Sequence, residues 1–179
     1  METMSVLSVA SYLLSAIGLF GALDIALFHT RSHKLRSQPS ARVELLTHSL
    51  RGPTYAVLFV VVPNFAAHGS RLLVMLAVLV FDVAISLWDF SVERRSREPM
   101  GGLPTGEYVL HSIIAMLFGA FAACYCMGAV DWPAQDTAWV YQPNVPWPVQ
   151  AMLAVMALGV LVSGIQDALA VVRLGREAR

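Results

Sequence analysis

The chain is predicted to be an all-α integral membrane protein of five transmembrane helices, and three observations carry that prediction. Of its 179 residues, 57% are hydrophobic and 13% charged, against roughly 45–50% and 25% in soluble domains. Five apolar runs reach the length of about 20 residues that a helix needs to cross a bilayer. Lysine and arginine gather in alternate connections between those runs, as they do where loops remain on the cytoplasmic side.

The first run spans Val6 to Phe28. The N-terminal "METMSV" carries Glu2 where a signal peptide would have a basic segment, so a retained first helix is expected. The second run, roughly Val43 to Ala66, is interrupted by Glu44, His48, Arg51 and Pro53. The third covers Leu72 to Trp88, the fourth Val109 to Met127, and the fifth Val149 to Val172. Residues 1–179 form a single transmembrane domain in this scheme, because no connection is long enough for a soluble one. Arg31, Lys34, Arg36 and Arg42 fall between the first and second runs, Arg94, Arg95 and Arg97 between the third and fourth, and Arg173, Arg176 and Arg179 in the tail. The other side has only Arg71, which places the N-terminus outside, the C-terminus in the cytoplasm, and the protein in a bacterial inner membrane. The long outer connection, residues 130–148, contains Trp132, Trp139, Tyr141 and Trp147 and is expected to hold a short interfacial helix.

Twelve basic and twelve acidic side chains cancel, which leaves no field to attract nucleic acid. The chain has no Gly-rich nucleotide loop, no Ser/His/Asp nucleophile context and no Cys metal pair. Cys124 and Cys126 diverge by about 200° on a helix, too far apart for a mutual disulfide, and are read as small apolar residues.

"ELLTHS" from Glu44 and "EYVLHS" from Glu107 repeat one pattern at the start of the second and fourth runs. Upstream, "HTRSHKL" aligns with "ERRSREP", pairing His29 with Glu93, Arg31 with Arg95, and Ser32 with Ser96. Helices one to four are therefore expected to be two repeated hairpins forming a bundle, with the fifth helix as an addition.

The ionisable residues of the spans share one slab near the cytoplasmic face: Asp24, His29, Glu44, His48, Asp89, Glu93, Glu107, His111 and Asp167. Each such group costs roughly 2.5–3.5 kcal/mol at the centre of a span, so a layer of them implies mutual satisfaction, water or metal. Residues four apart share a helix face, so Glu44 points with His48 and Glu107 with His111. If both hairpins turn these faces inward, His29, Glu44, His48, Glu93, Glu107 and His111 converge, with Asp89 and Asp24 in reach. Mixed imidazole and carboxylate donors from facing helices are how bundles hold pairs of iron or manganese ions, although there the spacing is Glu-x-x-His.

Simpler roles compete. Glu44 and Glu107 also suit the first turns of helices capped by Ser40 and Thr105. Arg51 is expected to neutralise Asp24 or Asp82, and Asp167 to balance an arginine. His33 and His68 are placed in loops. Asp82, near mid-membrane, suggests a hydrogen-bonded lock or a proton path.

The expected function is a membrane-embedded metalloenzyme with a dinuclear centre, iron by preference and manganese or zinc as alternatives. Its substrate would be lipid-like, and hydroxylation or desaturation would draw electrons from a separate reductase. The alternatives are a b-type haem electron carrier with His48 and His111 as axial ligands, a non-catalytic subunit of a larger membrane complex, and a small transporter.

In a background lacking Cys124 and Cys126, cysteines at Lys34 and Arg95 are expected to resist impermeant thiol reagents in intact cells. One at Gln135 is expected to react. Labelling at Lys34 from outside would overturn the orientation.

Overall fold

The computed structural model describes residues 4–177; Glu2 and Arg179 lie outside them. α1 (Val6–Asp24) starts at Ser5, whose hydroxyl accepts the Ser8 backbone N–H at 3.1 Å, satisfying one of the free donors of a first turn. It continues without a break into a π-helical segment, Ile25–Ser32. Two short 3₁₀ turns, Leu35–Ser37 and Pro39–Ala41, lead to α2 (Arg42–Asn64). A strand, β1 (Phe65–Ala67), precedes α3 (Arg71–Arg97). α4 (Thr105–Gly128), β2 (Trp139–Tyr141) and α5 (Trp147–Glu177) complete the chain. All five helices are long and apolar enough to cross a membrane. Their outward faces are apolar too, with Leu73, Val80, Leu87, Met116, Val155 and Leu169 exposed.

Three expectations about local structure are corrected. α3 runs nine residues beyond Trp88, so Arg94, Arg95 and Arg97 belong to its last turns and not to a loop. Neither Ser40 nor Thr105 caps a helix. Ser40 instead donates to the Ser96 carbonyl at 3.0 Å, tying the α2 entrance to the end of α3. The outer connection has no interfacial helix of membrane-surface length. It forms one 3₁₀ turn, Trp132–Ala134, and the strand β2, which pairs antiparallel with β1 in the register Phe65↔Tyr141. The physical reason is that β1 leaves α2 with its backbone polar groups unpaired, and the loop supplies their partners.

Asn144 reinforces that end. Its side chain accepts from Ser11 Oγ at 2.7 Å and donates to Val62 O at 2.7 Å, and its backbone carbonyl accepts from Ser8 Oγ at 2.6 Å. Behind it lies the main core, including Leu14, Ile17, Leu58, Phe59, Phe121 and Leu153. A smaller apolar cluster of Leu35, Ala41, Leu45, Ala170 and Leu174 closes the opposite, basic end. The polar layer sits between the two.

The broadest interface is α2 against α5, followed by α1 against α4 and α2 against α3, whereas the backbones of α3 and α4 stand apart and meet through side chains such as Arg97–Glu107 and Glu93–His111. α5 is therefore an integral wall and not an appendage. It approaches α2 through glycines: a Cβ on Gly52 would lie 3.1 Å from the Val160 carbonyl and 3.2 Å from Gly164 Cα. Small residues permit such backbone approach in membranes. Pro53 lacks the N–H that would serve the Ser49 carbonyl, and a Cβ on Gly164 would come within 3.4 Å of that oxygen.

Gly52→Leu is expected to force α2 and α5 apart and cost about 1–3 kcal/mol or more, the usual range for overpacking. Gly159→Leu, where a Cβ meets nothing within 4 Å, should leave stability near the wild-type value. Thermal unfolding in detergent measures both.

Candidate metal centre

Four helices deliver the polar layer by helical spacing. On α2, Glu44 and His48 share one face; on α4, Glu107 and His111 do the same. α3 contributes Asp89, Glu93 and Arg97 at successive intervals of four. α1 contributes Asp24 and His29, which are five apart. The π-helical stretch Ile25–Ser32 brings them onto one face, because its repeat closes over five residues and not four.

Glu44 and Glu107 meet at Arg97. This guanidinium has no solvent exposure; its Nη1 donates to Glu44 Oε2 at 2.5 Å and its Nη2 to Glu107 Oε1, while Nε lies 3.4 Å from Glu107 Oε2. The two carboxylates are thus neighbours across one planar cation. Composition hid it, because Arg97 sits in an arginine-rich stretch with the look of a cytoplasmic loop. The one available signal was its position four residues beyond Glu93.

The imidazoles converge beside this pair. His29 Nε2 is 3.0 Å from Asp24 Oδ2 and 3.6 Å from Glu107 Oε1. His111 reaches Asp24 Oδ2 through Nε2 at 3.1 Å and Glu93 Oε1 through Nδ1 at 2.9 Å. His48 lies face to face with His29, ring centres 4.6 Å apart and planes 1° from parallel, and its Nε2 is 3.4 Å from Asp89 Oδ1. Two metal-competent groups result. Asp24, His29, Glu107 and His111 present one donor atom each, all within 4.8 Å of one another; His29, Glu44 and His48 do likewise. His29 belongs to both.

Five of the six residues selected from sequence, and Asp24 of the two further candidates, enter these groups. Glu93 does not: it abuts His111 from outside. Asp89 does not either, because Thr47 Oγ1 donates to it at 2.5 Å and it also faces His48 and Arg51. Arg51 stands 3.6 Å from Asp82 and 3.8 Å from Asp89, not beside Asp24. Asp82, fully buried, also receives a 3.3 Å hydrogen bond from Thr54. Asp167 pairs with Arg36 at 2.6 Å. His33 is buried, with Nδ1 3.7 Å from Glu107 Oε2, so it is part of the layer and not a free loop residue. His68 stays at the far end, its ring against Trp132.

Buried polar atoms normally have hydrogen-bond partners. Among the described residues, Asp24 Oδ1 and Glu44 Oε1 of this layer have none, while His29 Nε2, Glu93 Oε1 and His111 Nδ1 have only the ion-pair contacts given above; Arg51 Nε, Asp82 Oδ2, Ser96 Oγ and the Tyr125 hydroxyl also lack a hydrogen bond. The charges do not balance either. Asp24, Glu44, Asp82, Asp89, Glu93 and Glu107 are buried, and only Arg51 and Arg97 oppose them, leaving four negative charges in excess. Two divalent cations would carry that amount. Protonated histidines could carry most of it as well, since His33, His48 and His111 each lie within 4 Å of a buried carboxylate; only His29 and His48, stacked face to face, are opposed to being charged together.

No known protein family, curated protein or solved structure matches this chain. Any function must therefore be argued from the site itself.

Arg97→Met would leave Glu44 and Glu107 buried without their cation, which costs roughly 3–5 kcal/mol for buried pairs. The expected result is a large fall in the unfolding midpoint, partly recovered when Glu44→Gln is added. A midpoint equal to wild type would show that the guanidinium does not hold the layer together.

Proposed function

We propose that this protein is a metalloenzyme of the bacterial inner membrane that holds two metal ions near the cytoplasmic face and oxidises a lipid-like substrate. The observation that carries this reading is a cavity of about 590 Å³ that has His29, His48 and His111 at one end and apolar side chains such as Phe59, Phe118 and Met156 along its length. Enzyme and ligand sites typically occupy about 300–1,000 Å³ with a few convergent polar groups in an apolar wall. The basic loops assign the polar end to the cytoplasm.

The two-hairpin reading is supported by contacts that come in corresponding sets. Exchanging α1 with α3 and α2 with α4 turns Asp24–His111 into Asp89–His48, His33–Glu107 into Arg97–Glu44, and His29–His48 into Glu93–His111. The hairpins also meet through equivalent interfaces, α1 with α4 and α2 with α3. Each of the two donor groups would hold one ion, and His29 belongs to both groups.

Imidazole and carboxylate donors suit iron, manganese or zinc, and iron fits the oxidative chemistry. When bound, the ions would supply the activation of dioxygen. In a hydroxylation one oxygen atom enters a C–H bond and the other leaves as water. The two electrons and two protons required come from a separate reductase, which is the partner this reading implies. The chain's own residues do the rest. Arg97 keeps Glu44 and Glu107 side by side, Asp89 and Glu93 orient His48 and His111, and the apolar walls exclude water.

Haem fits less well. A porphyrin held by His48 and His111 needs open space between them, yet His29 stacks on His48 and meets the His111 ring edge-on, 6.4 Å between centres. A non-catalytic packing role leaves the cavity and the unpartnered atoms unaccounted for.

Purified protein is expected to contain about two transition-metal ions per chain by elemental analysis, with no Soret band. Glu44→Ala, His48→Ala, Glu107→Ala and His111→Ala should each lower that content by more than half, and His29→Ala should lower it most. His68→Ala is the control and should retain full metal. Wild-type content in all five ligand variants would end the metal proposal.

A further inference from the structure

Resting on the metal-centre reading, we infer that the substrate is a single-chain amphiphile with a small uncharged head. Its tail of about ten to thirteen carbons lies within the bundle and enters between α3 and α4. Four observations converge on this.

The first is the opening. α3 and α4 are neighbours around the ring of helices, joined at the polar layer by Arg97–Glu107 and Glu93–His111, but their backbones stand apart. Val83 and Leu87 of α3 and Ala115 and Gly119 of α4 line the cavity and are themselves exposed, as residues at the rim of an opening are. That opening faces lipid, so the passage joins the cavity to the bilayer and not to water.

The second is length. Gly119 stands eight residues beyond His111 and Phe59 eleven beyond His48, so at 1.5 Å of rise per residue the cavity runs roughly 12–16 Å from the imidazoles. An extended chain built of bonds of about 1.5 Å advances ~1.25 Å per carbon, giving ten to thirteen carbons. Toward the far end Gly18 packs closely on Met156 and Phe59, where a Cβ would lie 2.7 Å from Met156 Sδ and 3.0 Å from Phe59 Cζ.

The third is the glycine pattern. Gly21, Gly119 and Gly159 all line the cavity, and a Cβ on any of them meets nothing within 4 Å. None is required for helix packing, in contrast to Gly52 and Gly164. What they share is the space they leave open along the tail's course.

The fourth is charge. The polar end of the cavity presents Asp24, Asp89 and Asp167 with Arg51 as its cation. Two divalent ions only balance the buried carboxylates of the layer, so no positive surplus is left for an acidic head. A hydroxyl or carbonyl is accommodated, and a carboxylate is repelled.

The test uses wild type and Gly119→Leu, both in lipid nanodiscs, with a twelve-carbon primary alcohol bearing a mid-chain diazirine as the probe. Photolabelling of wild type is expected on the α2 and α4 peptides containing Phe59 and Phe118, which line the cavity. Unlabelled alcohols should compete better with length up to ten to thirteen carbons, and dodecanoate should compete roughly tenfold less well than dodecanol. Gly119→Leu fills open space, so it should retain fold and metal content while labelling falls about tenfold. Equal labelling of Gly119→Leu and wild type, or labels confined to outward residues such as Leu73 and Val155, would overturn the cavity assignment. Equal competition by dodecanoate would overturn the uncharged head. Metal content is read separately: specific labelling in a metal-free wild type would keep the tail site and sink the metal centre.

Discussion

The polar layer of this protein is organised by one buried guanidinium. Arg97 binds Glu44 from α2 and Glu107 from α4 while being itself the end of α3. Three helices are thereby fixed at one depth. Charges in an apolar medium are costly alone and tolerable only in well-made sets, so every neighbouring group must adapt to this one. His29 and His33 turn toward Glu107, Glu93 turns toward His111, and Asp89 takes up His48 and Arg51. An apolar plug around Leu35, Leu45 and Leu174 then separates the set from the basic end of the molecule.

The arrangement also explains the unusual stretch of α1. A regular α-helix would turn His29 away from the face of Asp24, whereas the π-helical repeat of Ile25–Ser32 restores it. Such segments are common at functional sites, where backbone regularity is exchanged for the direction of one side chain. Here that side chain is His29, the residue shared by both donor groups. Packing elsewhere serves the same end. The tight α2–α5 contact at Gly52 and Gly164 and the α1–α4 contact make two walls, while the α3 and α4 backbones stand apart with Arg97–Glu107 and Glu93–His111 joining them at the polar layer.

Much of the architecture was legible without coordinates. The five apolar runs, the shared depth of the carboxylates and imidazoles, and the one-face pairs Glu44/His48 and Glu107/His111 all follow from hydropathy and the 3.6-residue repeat. These are local properties, written at fixed spacings within one helix. The ends of elements were less legible: α3 outlasts its apolar run because Asp89, Glu93, Ser96 and Arg97 are buried against other helices, and hydropathy reads such residues as loop.

What the sequence determined by itself, then, is that this is a helical membrane protein with a polar layer at one depth, because each helix carries its own hydrophobic length and its own face. Which groups in that layer touch was decided only by the tertiary structure. Arg97 between the two glutamates, His33 beside Glu107, Arg51 with Asp82 and Asp89, and the exclusion of Asp89 from the donor groups are relations between helices. They depend on rotation and approach set by glycine contacts and by a π-helical turn, and no spacing along a single helix encodes them.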